Sequence, residues 1–208
     1  MNPSVHRLAT DTDDGMLLII SGPSGVGKTT ITRGVERTIP DAVFSVSATT
    51  RPSTGVDVEG VDYHFVTDAQ FLEMKARGEF LETAEIYGKR YGTPREWVEE
   101  QFRRGRLVIL EIDVEGAKQV KSKIPDAFGL FVMPPSEEVL LGRLRSRKRE
   151  DESAIQRRFS EAKREIECAR TCGVYNEFLV NEKLDEAIAR AVEMVKAERA
   201  RRRARRRA

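Results

Sequence analysis

Short apolar runs recur along the chain, each followed by a stretch whose apolar positions carry helical spacing. The runs are MLLIIS (16–21), VFSVS (43–47), LVILEID (107–113), FGLFVM (128–133) and EFLVN (177–181). They are short and mostly continuous rather than alternating, as strands buried on both faces require, which predicts a parallel sheet. Helices are predicted between or after them, from about Gly27 to Thr38, over 114–123, 136–149 and 151–171, and from 183 to about 200. Alternating strands and helices predict an α/β fold, a parallel sheet flanked by helices on both faces.

The stretch from 47 to 106 breaks this rhythm. Its short runs YHFV, FLETAEIY and KRYGT are separated by Gly and polar turns and read as small antiparallel strands, with helical patches near 68–78 and 94–104. It reads as an inserted, substrate-facing subdomain. A second polar stretch, RLRSRKREDESAIQRRF (143–159), is dense in Arg, joins two helices and reads as a mobile lid. The first residues, 1–15, read as a flexible extension with acids and no hydrophobic stretch, so no signal peptide is expected.

Composition narrows the class. Of 208 residues, 39% are hydrophobic and 34% charged, enough for a core under a well-solvated, helix-rich surface. No apolar run approaches the length that spans a bilayer, so no membrane partner is expected. Cys168 and Cys172, with only His6 and His64 besides, make neither a disulfide framework nor a four-ligand zinc site, and fit a cytoplasmic protein. The net charge of +2 hides an asymmetry: the tail 199–208 holds seven Arg and no acid, leaving 29 bases against 34 acids, a net of −5, in the body. The body is therefore not a nucleic-acid binder by charge. The tail could meet nucleic acid or an acidic surface, but the favoured reading is a solvated extension of the last helix. Nothing in the sequence sets an oligomeric state.

Gly22-Pro23-Ser24-Gly25-Val26-Gly27-Lys28-Thr29 matches G-x-x-x-x-G-K-[ST] between a strand and a helix. Glycines let the backbone curl so that its N–H groups face phosphate oxygens, and the helix N-terminus adds a positive dipole end. Lys28 suits the β and γ phosphates, and the Thr29 hydroxyl suits Mg²⁺. A chance match in a chain this long is on the order of one percent. The motif points to a nucleoside-triphosphate site, and the absence of N-K-x-D argues against a GTPase switch. Glu111 and Asp113 end a parallel strand, where such sheets deliver ligand-facing residues.

SGPSGVGKTT, FSVSATTRP, EGVDYHFV, FLETAEIYGKRYGT, LVILEIDVEGAKQV, FVMPPS and LVNEKLDEA follow one another from about 16 to 195. In this order they resemble the guanylate kinase family, bacterial type. The resemblance implies a P-loop nucleoside monophosphate kinase fold over 16–198, with an inserted mixed-β GMP-binding subdomain (about 47–106) and a helical lid (about 136–165). It implies transfer of a phosphoryl group from ATP to GMP, giving ADP and GDP, with Mg²⁺.

The resemblance also assigns roles. Ser47, Arg51, Tyr63, Tyr91 and Thr93 would hold GMP, chiefly its phosphate, while Glu82 and Asp113 would read guanine. Glu111 would stand near the metal with Thr29, Asn181 by the adenine, and Arg143, Arg147 and Arg158 in the lid; Lys28, Arg51, Arg147 and Arg158 would be catalytic. Two departures matter. Thr54 stands where the family usually has a second phosphate-binding arginine, leaving Arg51 or another base such as Arg90. The lid element reads Arg147-Lys148-Arg149-Glu150, without the usual glycine. Two other readings compete: a kinase of another phosphorylated acceptor such as a ribose bisphosphate, and a non-catalytic guanylate-kinase-like interaction module. The whole phosphate loop counts against the module, and Glu82 and Asp113 count against the other acceptor.

Overall fold

The computed structural model describes residues 15–146 and 151–207. Its centre is β1 (Met16–Ser21), flanked by β7 (Leu107–Glu111) and β8 (Phe128–Met133), with β2 (Ala42–Phe44) and β9 (Glu177–Val180) outside them. All four pairings are parallel, in the order β2-β7-β1-β8-β9. Period-two side-chain alternation explains the two cores. Met16, Leu18 and Ile20 of β1 face one helix layer, while Leu17 and Ile19 face the other. The first layer is α1 (Lys28–Thr38) and α7 (Leu184–Arg207), through Ile31, Val35, Ala191 and Val195. The second is α3 (Arg95–Arg103) and α4 (Val114–Lys123), through Val98, Ala117 and Val120.

Because α1 leaves β1 toward one face and α4 leaves β7 toward the other, the carboxyl ends of these adjacent strands open a crevice. Ligands bind at such a switch point in parallel α/β sheets. The register Ile20↔Glu111 places the loop after β1 beside the end of β7.

A second, four-stranded sheet has the order β4-β3-β6-β5, from β3 (Ala48–Thr49), β4 (His64–Phe65), β5 (Phe80–Ile86) and β6 (Lys89–Pro94). It is mixed: β3 and β4 pair in parallel, whereas β6 is antiparallel to β3 and β5. Helix α2 (Asp68–Ala76) starts with a capping box between Thr67 and Gln70 and buries Phe71 against Phe80. The sequence groups the helix near 94–104 with this subdomain, but Val98 of α3 is buried in the core of the parallel sheet.

Helices α5 (Glu137–Ser146) and α6 (Glu152–Thr171) complete the chain before β9. The expected run 43–47 is a shorter strand, since the chain leaves β2 after Phe44 to join the second sheet at Ala48. The last helix is longer than expected and continues to Arg207. Arg and Ala are good helix formers, and cations near a helix C-terminus oppose its dipole. The tail is not wholly solvated: Arg199 is buried and donates to both carboxylate oxygens of Asp41 (2.8 and 2.5 Å). Arg202 donates to Glu198 and to the Asp126 carbonyl.

Candidate active site

The loop after β1 carries the donor side. Gly27, at φ 94°, caps α1 with no side-chain bond, and the first turn of α1 holds no acid. The first N–H groups of α1 therefore have neither a side-chain cap nor an acid within their own turn, which is the arrangement an anion needs. A Cβ on Gly27 would stand 2.6 Å from Asn181 Nδ2, so the loop can pack this closely only with glycine. Lys28 Nζ lies inside the loop against the carbonyls of Gly22 (2.5 Å) and Pro23 (3.0 Å). Val26 is fully buried in the core and contributes its backbone.

Thr29 Oγ1 donates to Glu111 Oε1 at 2.8 Å, across the β1–β7 crevice. The other carboxylate oxygen, Glu111 Oε2, is buried and has no hydrogen-bond partner. A hydroxyl and a partly unsatisfied carboxylate are hard oxygen donors of the type Mg²⁺ takes. Mg²⁺ is usually held by one or two protein oxygens together with substrate phosphates and water, a role Thr29 and Glu111 fit.

Arg158 of α6 donates to Ser24 Oγ, docking that helix on the phosphate loop. Arg143 of α5 instead donates to the Asn181 carbonyl (2.9 Å). The Asn181 side chain is buried and donates to the Val26 carbonyl (2.8 Å). It buttresses the phosphate loop from behind and does not line the cavity. Arg147, with Lys148, Arg149 and Glu150, lies outside the described residues.

A cavity of about 340 Å³ runs from this loop to the second sheet, lined among others by Lys28, Thr29, Ser47, Tyr63, Glu82, Tyr91, Glu111 and Asp113. Its volume lies in the range of small-ligand sites. Glu82 enters it from β5, where a register shift between Phe80 and Glu82 marks a bulge, a device that re-aims a side chain. Glu82 is 3% exposed, and its Oε1 accepts from Thr93 Oγ1 at 2.6 Å. Asp113 caps α4, its Oδ1 accepting from Gly116 N at 2.7 Å. A Cβ on Gly116 would stand 2.6 Å from Glu82 Oε2 and 3.2 Å from Asp113 Oδ1. The two carboxylates thus sit on either side of one missing methyl group.

Burial raises both acids. Glu82 is pushed up to about 7, with the Asp113 charge adding to the rise and the Thr93 hydroxyl and Lys123 opposing it. Asp113 is raised by burial against the hydrogen bond from Gly116. Tyr63 is pushed up to about 12, first by burial and then by Tyr91 and Glu111.

Arg51 stands behind the cavity lining, its guanidinium 5.1 Å from the Tyr63 ring centroid. Its two terminal nitrogens bond Asp57 at 2.9 and 3.1 Å, a bidentate geometry that a phosphate would also match. Thr54 bonds the same Asp57 through its backbone N and its hydroxyl (2.6 and 2.7 Å). Arg90, a candidate substitute for the missing arginine, pairs instead with Asp68 of α2.

Sequence reasoning missed five residues here. Asp57 holds Arg51, Gly116 makes room for the two acids, and Tyr87, Glu161 and Glu165 line the cavity. Glu165 is pushed up to about 7 by burial, against the favourable charge of Lys28. Only Gly116 carried a local signal, since Asp113 capping a helix draws the third residue of that helix against it.

A family model described as guanylate kinase matches residues 14–198. A guanylate kinase of Anaeromyxobacter dehalogenans is 45% identical over 90% of this chain and 82% of that protein. One from Nostoc is 46% identical over 80% of this chain and 85% of that protein. The crystal structure of guanylate kinase from Anaplasma phagocytophilum superposes with a TM-score of 0.73 at 33% identity, covering 89% of this chain and 86% of that one. With a phosphate loop, a parallel sheet open between β1 and β7, and a mixed sheet facing it, the chain belongs to the guanylate kinase family.

Proposed function

We propose that the chain transfers the γ-phosphoryl group of ATP to GMP, releasing ADP and GDP. The observation that carries this reading is the pair of carboxylates, buried Glu82 and half-buried Asp113, facing the same cavity as the phosphate loop. Guanine offers two adjacent donors, N1–H and the 2-amino group, which suit carboxylate acceptors. Adenine offers a lone pair at N1 and no 2-amino group, so these acids would face it without partners.

The nucleophile is a phosphate oxygen of GMP, whose second pKa of about 6 leaves it largely ionised at neutral pH. No general base is needed. Catalysis is positioning together with neutralisation of charge on the transferred group. Lys28 and the α1 N-terminus hold the donor phosphates, and Arg158, already on Ser24, stands beside them. Ser47, Tyr63 and Tyr91 line the acceptor side, and Arg51 exchanges Asp57 for the acceptor phosphate. Thr29 and Glu111 would hold Mg²⁺, which when bound neutralises the β and γ oxygens. With ATP and GMP as substrates, the enzyme belongs in the cytoplasm, where both nucleotides are made and used.

A coupled assay of ADP release from ATP with GMP, AMP, UMP and CMP tests the reading. GMP is expected to be preferred by about 10⁴-fold or more over AMP, because a site built to bond a substrate group rejects the analogue lacking it. Comparable rates with AMP, or none with GMP, would overturn it.

A further inference from the structure

A second cavity, of about 280 Å³, shares no lining residue with the one that holds the two carboxylates. It lies where the end of α4, the loop before β8 and the residue before β9 meet the last turns of α7. Its charged lining is Lys121, Arg202, Arg205 and Arg206 against Asp126 and Glu198, a net of +2. Helical phase brings the arginines there. Arg199 is locked onto Asp41 by two hydrogen bonds, and Arg202 donates to Glu198 (2.8 Å) and to the Asp126 carbonyl (2.5 Å). These anchors fix the rotation of the helix end against the body. Positions 198, 202, 205 and 206 then share one face, by the three- and four-residue spacing of helix neighbours. Side chains that tilt toward the helix N-terminus carry Arg205 and Arg206 back over the cavity.

The two acids do not cancel this charge. Both Glu198 oxygens are already engaged, by Arg202 at 2.8 Å and Arg201 at 3.4 Å, and Asp126 is exposed. On the opposite wall, Lys121 donates to the Ala127 carbonyl (2.5 Å) and to Asn176 Oδ1 (3.4 Å), neither of them an anion. Burial lowers the pKa of Lys121, and the Arg202 charge lowers it further, against Asp126 and Glu198. An anion placed between the two cations would offset their repulsion.

We propose that this cavity binds a compact polyphosphate anion, a di- or triphosphate held by Lys121, Arg202, Arg205 and Arg206. Arginine forks match phosphate oxygens in pairs, and the lysine adds a point charge. No aromatic ring is among the lining residues, so nothing there stacks a base, and the recognised group is the phosphate chain itself, free or carried by a nucleoside. A long nucleic acid is disfavoured for the same reason. It is disfavoured also by the net of −5 on residues 1–198, which repels a polyanion running across the body.

The test is isothermal titration calorimetry of the full chain with inorganic tripolyphosphate. Wild type is expected to show a second site beside that of the phosphate loop. Arg205→Ala combined with Arg206→Ala should weaken the second site about ten- to a hundred-fold, the range for lost charge-assisted hydrogen bonds, and leave the first unchanged. Both arginines are exposed at the helix end, so the fold should survive their loss. Asp126→Asn should strengthen the second site, and KM for ATP and GMP should be that of wild type in every variant. Titration with UTP separates the two sources: equal affinity assigns the site to the phosphates alone, and affinity ten-fold or more above that of tripolyphosphate makes a nucleotide the ligand. A single tripolyphosphate site in wild type, a second site unaffected by the arginine changes, or a bound DNA duplex that tripolyphosphate does not displace would overturn the proposal.

Discussion

The donor and acceptor sides of the site are built in opposite ways. The donor side is one continuous octapeptide, Gly22 to Thr29, fixed between a central strand and a helix whose N-terminus has no side-chain cap. The acceptor side is assembled from β5, β6, the N-terminus of α4 and two loops, with Glu82 and Asp113 about thirty residues apart in sequence. The first binds a group common to all nucleotides and needs only backbone N–H groups and one cation. The second must tell bases apart, so it needs side chains of defined type converging from separate elements. Loss of a donor-side group should therefore stop the chemistry with any acceptor. Loss of an acceptor-side group should change which acceptor is used.

The largest expected effect lies on the donor side. Lys28→Ala should lower kcat about a thousand-fold or more with every acceptor, leaving Tm near the wild-type value. Selective loss of GMP turnover alone would blur the distinction between the sides. Next comes Arg51→Ala, which removes charge-assisted hydrogen bonds to the acceptor phosphate. It should raise the GMP KM about ten- to a hundred-fold and the ATP KM little, as measured by initial rates. Gly116→Ala places a methyl group against Glu82 Oε2 and should lower kcat/KM for GMP about ten-fold. Its Tm should fall slightly or hold, since the gain in helix propensity from Ala is offset by displacing buried Glu82 and crowding the Asp113 cap.

These differences also explain what the sequence made legible. The octapeptide and the strands on either side of β1 were readable because their signals are local: glycine spacing and continuous apolar runs. The carboxylate pair was not readable from spacing, because nothing in LETAEI or EIDVEG says that Glu82 and Asp113 meet; only the ordered family motifs assigned them. Asp57 was invisible for the same reason, lying in a polar turn with no pattern. The tail is the solvated extension of the last helix that its Arg run suggests, except at Arg199, which helical phase turns inward onto Asp41. The packing of Asn181 beneath the phosphate loop, through its bond to the Val26 carbonyl, is likewise a long-range contact that no local pattern announces.

Smaller effects sharpen the comparison. Burial raises Glu82 from the ordinary 4.5 to about 7, so the folded protein holds a proton there that the unfolded chain releases. That contribution to stability is full below pH 4.5 and is lost as pH rises through about 7. Guanine needs the ionised form, so kcat/KM for GMP should rise with pH through the same region. In Glu82→Gln the part of that limb near pH 7 should be lost, leaving the rise at about pH 6 that belongs to the GMP phosphate itself. Glu165→Gln should keep both, although Glu165 is also raised to about 7. The smallest kinetic effect is expected far from both sides. Removing 199–208 breaks the Arg199–Asp41 pair, in which Arg199 holds Asp41 below the carboxylate range although burial alone would raise it. It should destabilise by about 1–3 kcal/mol, seen as a lower Tm, with both KM values unchanged. Removing 201–208, which leaves that pair intact, should lower Tm less.

The most direct test of the acceptor-side assignment is the ratio of kcat/KM for GMP to that for AMP, in the wild-type protein and in Glu82→Gln. Gln puts an amide donor in place of one carboxylate oxygen, facing the donors of guanine. The expected result is a ratio of about 10⁴ or more for wild type that narrows at least ten-fold in the variant through loss of GMP turnover, with the ATP KM unchanged. An equal ratio in the two proteins, or wild-type turnover of AMP as fast as of GMP, would contradict the assignment of Glu82 and Asp113 to guanine.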